Sequence, residues 1–269
     1  MMGRRAVAFV MCCTLACMPA TMLLAQAKSS QDIVRAAGQS YYNLPKEGLL
    51  EFQCVAVPDW QVTLAAELHT EIAPDHPAIK ILNGVHFWLS LDQQGSPKLT
   101  HKLDSQPEDP KTQEGISQTV SGVEQVLSGF AQSVAPFLFV SMLPKPEDKY
   151  SFETRGNQHF LAFKEGSDDI SLTLRDDLTV SEAKVASQEL TATMRPQFVK
   201  TDKGFLLVKI ASDYKLSADA APTNVVMDIE YANVQGLRLP AKLRVDTRVG
   251  DATHKMVIVF KDYEVKKTN

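Results

Sequence analysis

Six histidines, four cysteines and several neighbouring carboxylates are the residues of this chain whose types could do chemistry, and their spacing decides what kind. The tightest group is His69, Glu71, Asp75 and His76. A metal site needs ligands that converge on one point, and Pro74 breaks any helix that would align His69 with His76. This segment is therefore expected to be a solvated loop. The pairs Asp168-Asp169 and Asp176-Asp177 are adjacent in sequence, whereas acid–base catalysis needs partners facing each other across a pocket. They fall between alternating apolar runs, at expected turns or strand ends. His159, beside Phe160, reads as an exposed or half-buried sheet residue. Cys54 lies on the apolar side of Leu50-x-Phe52-x-Cys54-x-Ala56, where a buried, inert thiol is expected rather than a nucleophile. The chain has no Gly-x-Ser-x-Gly elbow, His-Glu-x-x-His helix, phosphate-binding loop or dinucleotide fingerprint. No enzymatic activity, metal or cofactor is expected.

Binding chemistry is left to the large apolar side chains. Phe52, Trp60, Phe87, Leu127, Phe130 and Phe137 are the candidates to line an apolar cavity that takes an acyl chain. The same six would equally fill an ordinary core. Trp88 differs, because alternation sets it opposite Phe87 and Leu89 on a polar face, under a loop or at a contact surface.

These side chains must be positioned by two kinds of element. Before residue 145 the pattern is mixed. Short helices are expected over 31–42 and 60–68, the second capped by Asp59, and over 78–82. Strands are expected over 49–57, 85–91 and 98–103, the last two joined by a turn at Gln93-Gln94-Gly95-Ser96. The longest helix signal covers 114–139, where Ile116, Val120, Val123, Leu127, Phe130, Val134 and Phe137 form one apolar stripe. Gly122, Gly129 and Pro136 weaken it, so packing must hold it. From Tyr150 onward nine short alternating runs follow one another with turn residues between them, the signature of an antiparallel meander. With the earlier strands this makes a sheet of about a dozen strands. The fold class expected is α+β: one large curved antiparallel sheet, a half-barrel, covered on its concave face by helices. No linker divides 28–269, which is expected to form a single domain. The proline that follows Leu237-Arg238-Leu239, Pro240, is expected to stop the ladder at a strand edge.

The first 27 residues read differently. Arg4 and Arg5 precede an uncharged apolar run from Ala6 to Leu24, and Ala25-Gln26-Ala27 offers small residues for cleavage. That is the pattern of a secretory signal peptide cut near Ala27, which would send the chain to the periplasm or the extracellular space. The alternatives are a retained membrane anchor and a lipidated Cys17. Thr14-Leu15-Ala16-Cys17 has its leucine one place too late for lipidation. Cleavage would remove Cys12, Cys13 and Cys17, leaving Cys54 without an intramolecular disulfide partner. The net charge of −4 becomes more negative when two arginines leave with the leader. A mildly acidic chain lacks the basic footprint of a nucleic-acid binder. No later segment is long and apolar enough to span a membrane as a helix.

At the C-terminus, Asp228-Ile229-Glu230-Tyr231 leads through Val234-Gln235-Gly236 to Leu237-Arg238-Leu239-Pro240. Lys242-Leu243-Arg244-Val245 and Val257-Ile258-Val259-Phe260-Lys261-Asp262-Tyr263-Glu264-Val265 follow. This order resembles the periplasmic lipoprotein carriers and outer-membrane lipoprotein receptors of the Lol type. The resemblance implies a half-barrel of about eleven antiparallel strands lidded by helices, with an apolar concave face that holds acyl chains. It implies a lipid or lipoprotein acyl chain as ligand; the alternative, which does not rest on the resemblance, is an envelope structural or protein-interaction module whose concave face is filled by its own helix. No catalytic or ligand residue of that family maps onto an identified position here.

Overall fold

The alternating runs from Tyr150 onward fold into an uninterrupted meander in the computed structural model, which describes residues 29–268 apart from 69, 146, 189 and 216–220. The expected leader, His69 and any signal they carry lie outside the described residues. Nine strands follow in order: β4 (Tyr150–Arg155), β5 (Gln158–Glu165), β6 (Asp168–Leu174), β7 (Val180–Ala186), β8 (Thr191–Thr201), β9 (Gly204–Lys215), β10 (Thr223–Val234), β11 (Leu237–Val249) and β12 (Ala252–Lys267). Each pairs antiparallel with its neighbour in sequence, because the turns between them are too short for a crossover. Three earlier strands extend the sheet: β1 (Leu49–Pro58), β2 (Val85–Asp92) and β3 (Pro97–Leu103). β1 pairs with β12, so the order is β3-β2-β1-β12-β11-β10-β9-β8-β7-β6-β5-β4. The sheet is curved and not closed, and among the described residues β3 and β4 are its free edges.

Among the described residues four α-helices accompany it: α1 (Ser30–Ser40), α2 (Trp60–Leu68), α3 (Pro77–Leu82) and α4 (Pro110–Leu138). α4 starts at Pro110, earlier than the apolar stripe predicts. Asp109 caps it, its carboxylate accepting from the Thr112 N–H at 2.8 Å, and proline is tolerated in a first turn that has no partner for its N–H. The Thr112 hydroxyl, which donates to the same carboxylate, and the Thr112 N–H together hold the Asp109 carboxyl below its ordinary range. The helix runs on through Pro136 to Leu138.

One face of α4 supplies Val120, Val123, Leu127, Phe130, Val134 and Phe137 to a single core. The sheet answers with alternate residues, among them Phe52, Cys54, Ala56, Phe87, Leu89, Ile210, Leu243, Ile258 and Phe260. Beneath α1, Val34 and Ala37 meet Leu161, Leu172, Leu174, Val180 and Ala183 in a second cluster. Two consecutive tyrosines tie the end of α1 to strands far apart in the sheet. The Val180 N–H donates to the Tyr41 hydroxyl at 2.7 Å, and the Arg238 N–H donates to the Tyr42 hydroxyl at 2.9 Å.

Pro240 corrects the expectation made for it, because it lies inside β11 rather than ending it. It stands opposite Tyr231 at a register shift in the β10–β11 ladder, and it precedes the first β11–β12 pair, Lys242 with Val259. A residue without an N–H fits at such a bulge. The Tyr263 hydroxyl donates to the Pro240 carbonyl and to the Phe260 carbonyl, stitching the bulge to β12. The C-terminal motif thus acts structurally, at the level of single hydrogen bonds.

Candidate functional site

The six cavity candidates come together in one core, and they fill it. Phe52, Phe87, Leu127 and Phe130 are at most 1 % exposed, and Trp60 and Phe137 are 3 % exposed. Phe130 stacks on Phe260 with ring centroids 5.6 Å apart, and Trp60 tilts against Phe87 at 6.3 Å. Phe52 lies against Tyr263 at 6.4 Å, and Phe137 meets Phe198 edge-on at 5.6 Å. Protein interiors pack to the density of organic crystals, so contacts of this kind leave little room for a guest. Cys54 lies in the same layer, and burial pushes its thiol up to about 12, which keeps it protonated and unreactive at neutral pH.

Of the clefts around this core, three bear on the candidate residues and on ligand binding. The smallest, about 270 Å³, sits where α4 ends and is lined by Tyr41, Lys46, Pro136, Phe137, Val140 and Met142. Of the six candidates only Phe137 lines any of the three. A second cleft, about 390 Å³, opens between β3 and the first half of α4. His101 and Glu124 pair across it, Nδ1 to Oε1 at 2.8 Å, beside Ser117 and Ser121. Neither serine hydroxyl is bonded to His101, so the group is a hydrogen-bonded histidine–glutamate pair beside two serines and not an assembled nucleophile.

The third is a broad groove of about 1100 Å³ across the end of β4 to β8. Tyr150, Phe163, Ile170 and Val185 are partly exposed along it and stand opposite one another on successive strands. Lys164 and Lys184 flank it, each already ion-paired, to Asp169 and Glu182. Alternation reveals these apolar positions, but nothing in the residues tells which end of the sheet the helices leave bare. α1 has 11 residues, about 16 Å of helix. Covering the five strands β4 to β8 takes about 19 Å across the ladder. The Tyr150 hydroxyl at this end is buried without a hydrogen-bond partner.

The remaining candidates have structural tasks. His76 caps α3, its Nδ1 accepting from the Ala78 N–H at 3.2 Å. Asp177 accepts from the Thr179 N–H and hydroxyl in the β6–β7 turn. His159 is half-buried, bonded to the Thr154 hydroxyl and stacked on Phe152. Trp88 is partly buried on the outer face, between Val55 and Thr100 on the flanking strands and 6.2 Å from the His86 ring. Among the described residues no cluster of three or more potential metal ligands occurs, and no helix is long and apolar enough to cross a membrane.

No protein-family model, curated protein or solved structure matches this chain.

Proposed function

We propose that this chain is a non-enzymatic binding protein of the cell envelope, and that it works as a protein-interaction module with a self-filled core. The carrying observation is the packing of α4: the residues that would line an acyl-chain cavity are buried against each other and against the sheet. A half-barrel stabilised by its own helix is a rigid scaffold that offers its edges, its outer face and its uncovered end to partners. The leader pattern in residues 1–27 supports export, and the C-terminal resemblance supports an envelope setting.

A second reading has one observation in its favour. The 270 Å³ cleft at Pro136 and Phe137 is close to the lower size of ligand pockets, about 300 Å³. A lipid or lipoprotein acyl chain entering there would press against Phe137 and Met142. Titration of the purified protein with a fluorescent fatty-acyl probe separates the two. The interaction module predicts no saturable binding up to the solubility limit of the probe, with the fold intact by circular dichroism. Saturable binding that Phe137→Trp abolishes would establish acyl carriage instead.

A further inference from the structure

Of the sheet's two free edges, one is protected and one is not. β3 opens with Pro97 and carries Lys98 and Lys102 on one face, devices that discourage a second strand from pairing. β4 has no proline, and its charges are of both signs. Lys149, Ser151, Glu153 and Arg155 are exposed, while Tyr150 and Phe152 are half-buried on the inner face beside the cluster under α1. Lys149 has no ion pair with a described residue, and Glu153 is paired only within its own strand, to Arg155 at 2.7 Å.

Only one register of this edge pairs both its charges and its aromatic side chains with complementary partners; an axis at Thr154 also opposes Glu153 to Arg155 but sets Phe152 against Gly156. In an antiparallel pair of two β4 strands related by a two-fold axis, side chains on the same face must oppose one another, so the axis passes through a residue. With the axis at Ser151, Lys149 of each copy opposes Glu153 of the other. Tyr150 opposes Phe152, and Ser151 opposes its own copy. Two opposite-charge pairs then lie on the outer face and two aromatic pairs on the inner face, the combinations that stabilise cross-strand neighbours. An axis at Phe152 sets Lys149 against Arg155, and an axis at Glu153 sets glutamate against glutamate. Both are repulsive.

We infer that β4 is a homodimerisation edge, through which a second copy of this chain extends the sheet in the Ser151-centred register. The pairing goes beyond the function proposed above and does not depend on what the core contains. A ladder this short makes a small interface, in the class of transient contacts below about 1,200 Å², so the dimer is in exchange with monomer.

Ser151→Cys tests the register directly, because it sets two thiols opposite each other at cross-strand distance. Cys54, 1 % exposed, does not compete. Under mild oxidation this variant should become a disulfide-linked dimer, with peptide mapping placing the bond between the two introduced thiols. Glu153→Cys should remain largely monomeric. Lys149→Glu in the Ser151→Cys background should slow cross-linking by about tenfold, since two attractive pairs become repulsive. Adding Glu153→Lys should restore it. A Ser151→Cys protein that stays monomeric, equal cross-linking at 151 and 153, or no rescue by the charge exchange would overturn the assignment.

Discussion

Phe130→Ala should lower the free energy of unfolding by about 3–5 kcal/mol, the range for truncating a fully buried phenylalanine in a core that cannot collapse. Phe130 has no exposure, stacks on Phe260 and sits between Val123, Leu127 and Val134 on the buried stripe of α4. Its ring is the contact that fixes the middle of the helix on β12. Removal leaves a cavity bounded on one side by a sheet anchored on both flanks and on the other by a helix anchored at both ends. Chemical denaturation with unchanged m-value measures the loss. A cost below about 1 kcal/mol would mean that the helix does not cover the sheet as described.

Gly204→Ala should cost at least about 2 kcal/mol, although it adds a single methyl group. Gly204 opens β9 at φ +114, a region that residues with a side chain rarely adopt and that costs them about 1–3 kcal/mol. A Cβ there would lie 2.6 Å from the Ser40 carbonyl oxygen and 2.8 Å from the Tyr41 carbonyl carbon, both backbone atoms that cannot swing aside. The approach is this close because the chain leaving α1 docks along β9. Tyr41 and Phe205 form a parallel bridge, and the Tyr42 N–H donates to the Phe205 carbonyl at 3.0 Å. Making room for a methyl group means prying this segment off the strand, which weakens the Tyr41 and Tyr42 anchors as well. Gly156→Ala is the control, since its φ is also positive but a Cβ there meets nothing within 4 Å. It should show the conformational cost alone. Equal losses at the two positions would contradict the docking of α1 on β9.

The sheet is legible in the sequence where local rules govern it. Period-two alternation and turn residues mark the strands from Tyr150 to Val265, and connections of a few residues force sequential antiparallel pairing. The stripe from Ile116 to Phe137 likewise marks α4 and its buried face. What joins distant parts is not legible. The pairing of β1 with β12 brings Phe52 opposite Val265, and no local signal specifies that choice. The docking of Tyr41 and Tyr42 is of the same kind, and so is the area of sheet that α1 covers. Pro240 shows the limit of a residue rule: proline does interrupt a ladder, but a bulge and the Tyr263 hydroxyl let β11 continue past it. For the candidate site, the six apolar residues were identifiable, but alternation serves a packed core and a lined cavity alike. The groove across β4 to β8 depends on helix placement, which alternation does not encode.

The central claim, that this half-barrel is filled by its own helix, is tested most directly by native mass spectrometry of the protein purified from its native source without detergent, paired with analysis of an organic extract. The self-filled core predicts the mass of the polypeptide alone and no stoichiometric lipid in the extract. A mass increment matching one lipid or acyl chain per protein, recovered in the extract and lost from Phe137→Trp, would contradict it.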